Sequence, residues 1–172
     1  TILTEGYDLY SAGTLELEVA ELNYILFDNM VVLTGDFSVE VQADGGLFYF
    51  LAQTNSQSNW ARKTASLRIR IGNTTTTFDY VGESVAEYKV CFKRVGADIH
   101  LLIDDVFVES QLDLSNGADF VFDNIGQRDN TNYSDGTVQW LRYSDATQES
   151  EYKFAEGEGD RVYDSKGVNH GA

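Results

Sequence analysis

The sequence predicts an all-β fold, an antiparallel sandwich or barrel of short strands. Apolar and polar residues alternate through several segments, as in strands with one buried face, and no segment of ten or more residues keeps a helical period. The connections between these segments are short, as in antiparallel architectures. The 172 residues include no proline, so the turns rely on Gly, Asn and Asp.

Individual strands follow from the apolar pattern. A segment that is apolar on both faces, LFYFLA (47–52), suits a central strand covered on both sides. A tight turn at Gly96 divides 89–105 into a hairpin. Four alternating segments are predicted to be strands with one face in the core: 14–22, 36–43, 66–72 and 87–94.

The length of the chain suits one domain with a sizeable core. Residues 156–172 differ from the rest, because they are rich in glycine and charge and poor in apolar side chains. We therefore predict a β-sandwich domain over residues 1–155 and a C-terminal tail or linker over residues 156–172.

The net charge of −16 argues against nucleic acid and anionic membranes as partners. No apolar run reaches the roughly 18 residues that a membrane helix needs, so membrane insertion is not predicted. The single cysteine, Cys91, excludes an intrachain disulfide and a four-cysteine zinc site. We interpret it as a small, half-buried strand residue, with a reactive thiol as the alternative.

Three segments in order resemble laminin-G-like domains: LTGDFSVEVQA (33–43), EYKVCFKRVGADIHLLIDDVFVE (87–109) and FDNIGQRDNTNYSDGTVQWLRYSDA (122–146). The chain is thereby identified as a laminin-G-like member of the concanavalin A-like lectin/glucanase superfamily. One departure is Asp105, which stands where the central hairpin of the family has glycine. The resemblance implies a two-sheet jelly-roll β-sandwich, frequent glycan binding and, in some members, a calcium ion.

The C-terminal stretch EGEGDRVYDSKGVNHGA resembles sequences found next to such domains in secreted and phage tail proteins. This resemblance implies an extracellular or virion-tail location and neighbouring domains in a larger protein.

Saccharides are recognised by flat aromatic faces together with amides, carboxylates and Arg that bind the hydroxyls. Two polar segments contain both an aromatic residue and polar side chains of these kinds. We predict that their aromatic residues meet in one cleft that binds an oligo- or polysaccharide. The alternatives are a tryptophan lid packed over the sandwich end and a plain polar turn. The predicted ligand-binding residues are Asn59, Trp60 and Arg62 in the first segment and Arg128, Asn130, Asn132 and Tyr133 in the second.

Other polar and aromatic residues lead to further predictions. Trp140 is predicted to pack in the core, with a β-bulge or a ligand-facing position as the alternative. A basic strip is predicted to pair with acidic residues on neighbouring strands, with anionic-sugar binding as the alternative; it comprises Arg68, Arg70, Lys89 and Lys93. Calcium is considered as a cofactor, held by Asp123, Asp129 and Asp135, which are otherwise turn residues.

The sequence therefore predicts a non-catalytic carbohydrate-binding module. A structural or assembly sandwich without a sugar site is the first alternative. The second is a glucanase, because Glu16, Glu18 and Glu21 resemble the E-x-D-x-x-E signature of retaining glucanases. Glu18 departs from that signature, and an outward strand face explains the spacing without chemistry, so we do not predict an enzyme.

Overall fold

The computed structural model describes residues 2–3, 6–8, 25–44, 48–63, 66–80, 88–128, 132–133, 137–153 and 166. Within these ranges all regular structure is β, and no helix long and apolar enough to cross a bilayer is found there. The described strands are β1 (Ile2–Leu3), β2 (Gly6–Asp8), β3 (Ile25–Leu33), β4 (Phe37–Asp44), β5 (Phe48–Ala52), β6 (Trp60–Lys63), β7 (Leu67–Ile71), β8 (Thr74–Thr77), β9 (Tyr88–Val95), β10 (Asp98–Ile103), β11 (Val106–Leu112), β12 (Phe120–Ile125), β13 (Gln127–Arg128), β14 (Asn132–Tyr133), β15 (Thr137–Asp145) and β16 (Glu149–Tyr152).

The strands form two main antiparallel sheets and a small hairpin. The large sheet has the order β1-β2-β15-β4-β9-β10-β11, with β16 paired to β15. The small sheet has the order β3-β12-β5-β6-β7-β8, and β13 pairs with β14 outside both sheets. These sheets confirm the predicted antiparallel jelly-roll β-sandwich.

The core lies between the two sheets. Phe50 of the small sheet stacks on Phe92 of the large sheet, with ring centroids 5.7 Å apart. Phe122 of the small sheet meets Tyr143 of the large sheet edge-on at 5.1 Å. Because buried aromatic pairs add to the free energy of hydrophobic burial, these rings hold the two sheets face to face.

The observed strands confirm most of the alternation read from the sequence. β4, β7 and β9 match the predicted strands to within one residue at each end, and their alternate apolar side chains are buried. β5 lies between β12 and β6, so the prediction of a central strand is also confirmed. The predicted strand at 14–22 lies outside the described residues.

The predicted hairpin is β9 and β10, joined through Gly96 at a φ of +60°. The next turn, between β10 and β11, contains Asp104 and Asp105 at φ values of 49° and 68°. Asp105 thus adopts the left-handed conformation that glycine, the residue expected here from the resemblance, takes most readily.

Cys91 lies on β9 with 4% of its surface exposed. Burial, reinforced by the neighbouring Glu40, raises the pKa of Cys91 to about 12, although a hydrogen bond with Ser38 opposes the shift. The thiol is therefore buried and protonated at neutral pH, which favours a structural strand residue over the alternative of a reactive thiolate.

A buried arginine closes one end of the sandwich. Arg94 at the end of β9 forms an ion pair with Asp113, with Nε and Oδ2 2.9 Å apart and the two side chains only 2% and 3% exposed. Its Nη1 donates to the Gly35 carbonyl at 3.0 Å, and its Nη2 donates to the Ala118 carbonyl at 2.6 Å and to Ser115 Oγ at 3.2 Å. One guanidinium therefore joins the β3–β4 and β11–β12 connections to the large sheet.

Candidate functional site

The outer face of the large sheet carries a cluster of aromatic and charged side chains. The side chains that point away from the core on four adjacent strands form this surface, because residues in register on antiparallel strands share a face. We call it the Trp140 face; its members are Glu149 and Glu151 on β16, Trp140 and Arg142 on β15, Glu40 and Gln42 on β4, and Lys89 on β9.

Trp140 is half-buried at the centre of this face and is held in a defined orientation. Its indole Nε1 donates a hydrogen bond to Glu151 Oε1 at 2.9 Å. Lys89 Nζ lies 5.5 Å from the centroid of the ring, within cation–π range, and also pairs with Asp105 Oδ1 at 2.5 Å. The ring is therefore fixed at its polar edge by Glu151 and on one face by Lys89.

Beside the indole lies a network of ion pairs. Arg142 Nη2 is 2.6 Å from Glu149 Oε1, and Lys166 Nζ is 3.2 Å from the same oxygen. The hydrogen bond from Lys166, helped by the charge of Arg142, lowers the pKa of the Glu149 carboxyl. The face thus offers carboxylate acceptors and cationic donors next to an aromatic ring, which are the groups that bind sugar hydroxyls and C–H surfaces.

A β-bulge explains why Trp140 points outward. Val138 pairs with Ala43 of β4, but Trp140 pairs with the next residue, Gln42, so that Gln139 is an extra residue in β15. Val138 and Leu141 both point into the core and are fully buried. The prediction that Trp140 packs in the core is therefore wrong, and the bulge that we considered as the alternative is present.

Trp60 is buried, whereas a ring that stacks on a sugar in the predicted cleft would be exposed. Ala61 takes the inward position on β6, so Trp60 lies on the outer face of the small sheet, where it packs on Ala52 and is only 5% exposed. The Arg62 guanidinium lies 5.3 Å from the centroid of its ring. The expected exposure of Trp60 is wrong, whereas a ligand contact by Trp60 or Arg62 stays a prediction.

Asn59 has a structural role in the described part of the chain. The residue is 6% exposed, its Nδ2 donates to Gln53 Oε1 at 3.1 Å, and its Oδ1 accepts from the Gly72 amide at 3.0 Å. The side chain thus joins the β5–β6 connection to the β7–β8 turn, and its predicted ligand contact is untested.

The second predicted segment forms a short hairpin. Gln127 and Arg128 of β13 pair with Tyr133 and Asn132 of β14, and β13 lies against β5, the strand that leads toward Trp60. The structure describes the backbone of these four residues, not their side chains. Asn130, Asp129 and Asp135 lie outside the described residues, so the predicted contacts of Arg128, Asn130, Asn132 and Tyr133 remain predictions.

Asp123 uses one carboxylate oxygen to hold the β5–β6 connection. Its Oδ1 accepts hydrogen bonds from the Thr54 amide at 2.8 Å, from Thr54 Oγ1 at 2.9 Å and from Asn124 Nδ2 at 3.0 Å. Among the residues that the structure describes, no three His, Cys, Asp or Glu side chains are grouped as a metal site. Calcium binding by Asp123, Asp129 or Asp135 therefore stays a prediction.

The predicted basic strip is divided between the two sheets, and as a continuous strip it is wrong. Arg68 lies on β7 of the small sheet, where it is opposite Arg62 and Thr77. Lys89 and Lys93 lie on β9 of the large sheet, on the other side of the sandwich. Alternation within single strands identified which residues face outward, but not which strands share a sheet.

The fold is similar to that of laminin LG domains, which confirms the fold expected from the resemblance in the sequence. Two solved structures show it: domains LG4-5 of the mouse laminin alpha1 chain (TM-score 0.50, 12% identity) and the full extracellular region of zebrafish Gpr126/Adgrg6 (TM-score 0.54, 11% identity). The matches cover 84% and 86% of this chain but only 47% and 25% of those chains, so this chain corresponds to part of each.

A third structure, CG-16, a homodimeric agglutinin from chicken liver, matches with a TM-score of 0.40 and 9% identity over 67% of this chain and 100% of that one. A TM-score of 0.40 is too low to support a similarity of fold. No protein-family model and no curated protein matches the chain.

Proposed function

We propose that the chain is a non-catalytic carbohydrate-binding module and that the Trp140 face is its binding surface. The observation that carries this proposal is a tryptophan on the solvent side of a sheet, oriented by Glu151 and Lys89. An indole ring fixed in this way presents an apolar surface for the C–H side of a sugar without losing rotamer entropy on binding.

The groups around the ring match a saccharide better than an apolar ligand. Arg142, Glu149 and Lys166 form a charged network along one side of the face, and Gln42 lies opposite Trp140 on β4. Cations donate and carboxylates accept hydrogen bonds, so hydroxyl groups, which do both, can be bound in several orientations. The site stands on strands, whose paired backbones keep the polar groups in fixed positions.

Replacing Trp140 by alanine should weaken glycan binding by about 1–3 kcal/mol, comparable to the loss of an interface hot spot. That corresponds to a loss of roughly 5- to 150-fold in affinity. The measurement is titration calorimetry with a glycan selected on an array of neutral and anionic oligosaccharides. Trp140→Phe keeps a stacking face but loses the hydrogen bond to Glu151, so its affinity should lie between those of wild type and Trp140→Ala.

Tyr133→Ala separates this site from the predicted loop site. If the Trp140 face binds the glycan, Tyr133→Ala should keep wild-type affinity. Intact affinity in Trp140→Ala together with a loss in Tyr133→Ala would move the site to the loop at 127–135. An array without any bound glycan would favour the structural or assembly module.

The setting of the module is also part of the proposal. The two stronger structural matches are laminin domains and the extracellular region of a receptor, and each of those chains is longer than this one. They support an extracellular module within a larger protein, and a virion tail is the alternative location. Glu16, Glu18 and Glu21 lie outside the described residues, and a reducing-sugar assay tests the glucanase alternative.

Calcium is a second part of the proposal and rests on the acidic loops of a chain with a net charge of −16. A ligand that binds only the folded state raises stability by RT ln(1 + [L]/Kd). Millimolar calcium should therefore raise the melting temperature in differential scanning calorimetry, and a chelator should lower it. Magnesium at equal concentration controls for ionic strength, and an equal shift with both ions, or none, would remove calcium from the proposal.

A further inference from the structure

The turn between β11 and β12 carries the dipeptide Asn116-Gly117. Both residues have positive φ, 56° and 78°, and the Ala118 amide donates to the Ser115 carbonyl at 3.3 Å, so the four residues form a type I′ turn. Asn116 and Gly117 are both exposed to solvent. Asparagine is a thermolabile residue, and Asn116 is the only asparagine in the chain that precedes a glycine. Because glycine has no side chain, its backbone nitrogen is open to approach from the asparagine.

The surroundings of this dipeptide leave room for a reaction between its two residues. No residue that the structure describes forms a hydrogen bond with the Asn116 side chain or with the Gly117 amide. A Cβ atom added to Gly117 would meet no heavy atom within 4 Å apart from those of its chain neighbours. The turn is closed by one long hydrogen bond in an exposed segment, so it can open locally at low cost. The Gly117 nitrogen can therefore approach Asn116 Cγ without displacing another side chain.

We infer that Asn116 is a site of spontaneous deamidation and isoaspartate formation, with water as the only co-reactant. The Gly117 nitrogen loses its proton and forms a bond to Asn116 Cγ. The bond from Cγ to the side-chain nitrogen breaks, and ammonia leaves with that proton, so that a succinimide ring remains. Water then opens the ring. Its addition at Cγ gives aspartate, and its addition at the backbone carbonyl gives isoaspartate, in which the main chain continues through Cβ and Cγ.

The residues on either side of the dipeptide are bound to the buried ion pair of Arg94 and Asp113. Arg94 Nη2 donates to Ser115 Oγ at 3.2 Å and to the Ala118 carbonyl at 2.6 Å. The Ser115 amide donates to Asp113 Oδ1 at 2.9 Å. Isoaspartate adds one backbone atom between these two points of attachment, so the turn cannot keep its present geometry. It should therefore weaken the Arg94 network, whereas ordinary aspartate, which tolerates positive φ, should not.

Ageing of the full chain at mildly alkaline pH, well below its melting temperature, tests the site. After digestion at acidic pH, the peptide that contains Asn116 should have gained the mass difference between an oxygen atom and an NH group. It should also be a substrate for a methyltransferase that is specific for isoaspartate. Asn55 is the internal control, because it is exposed and has a φ of 55° but precedes Ser56. Asn116 should react at least several-fold faster than Asn55, and an absence of reaction, or equal rates at the two residues, would overturn the site.

Scanning calorimetry of the aged protein tests the link to Arg94. The aged form carries an added negative charge and can be separated from the unaged protein by anion exchange. It should melt roughly 2–4 °C below the unaged protein. Asn116→Asp has the same added charge without the extra backbone atom, so it should melt within about 1 °C of the wild type. An isoaspartate form that melts at the same temperature as Asn116→Asp would overturn the link between the turn and Arg94.

Discussion

Replacing Arg94 by methionine is expected to destabilise the fold by about 3–5 kcal/mol, because it leaves the carboxylate of Asp113 buried without its partner. The change also removes donors from the carbonyls of Gly35 and Ala118, which lie in two different connections. In a chain of this length the loss corresponds to a melting temperature lower by roughly 10 °C. Chemical denaturation and scanning calorimetry measure the two quantities.

The matched control is Lys93→Met, which removes a cation from the adjacent exposed position of the same strand. It should change the free energy of unfolding by less than about 0.5 kcal/mol. Arg94→Met combined with Asp113→Leu should recover much of the loss, since a buried pair can often be replaced by apolar residues at little cost. If Arg94→Met and Lys93→Met were equally stable, Arg94 would not be the residue that holds the two connections.

Phe122→Ala is the second large effect that we expect, about 3–5 kcal/mol of unfolding free energy. The Phe122 side chain is fully buried and contacts Phe27, Phe120 and Tyr143 at centroid distances of 5.9, 5.3 and 5.1 Å. Because Tyr143 belongs to the other sheet, the cavity would open between the two layers. Urea denaturation followed by tryptophan fluorescence gives the change.

Val121→Ala is the control for this substitution, because Val121 is the neighbouring residue on β12 and is only partly buried. Its loss should be smaller by at least about 1 kcal/mol. An equal loss from the two variants would mean that the cost follows strand propensity, and that Phe122 does not join the sheets through its packing.

Much of the fold could be predicted from the sequence because alternation reports the buried face of each strand directly. Phe37, Val39 and Val41 of β4 occupy every second position, and all three are buried. The same rule also identifies Arg94, which continues the inward positions of Tyr88, Val90 and Phe92 on β9. A charged residue at an inward-facing position of a strand predicts a buried ion pair, although Arg94 was not among the predicted residues.

The candidate site was harder to predict, because its position depends on one inserted residue. Strict alternation places Val138 and Trp140 on the same face, but the bulge at Gln139 separates them. A bulge depends on pairing with a distant strand, here β4, and local sequence does not specify it. Trp60 illustrates the opposite error, since its polar neighbours in sequence suggested exposure, whereas in the fold Arg62 and Ala52 lie close to its ring.

The breadth of the Trp140 face determines how the proposed module would meet its ligand. The face spans four adjacent strands of one sheet, so three strand spacings, roughly 14 Å, separate β16 from β9. A sheet surface of this breadth suits a run of linked sugar units better than a single terminal unit. The module would therefore attach part-way along a polysaccharide, and the number of copies bound would grow with the length of the chain rather than with the number of chain ends.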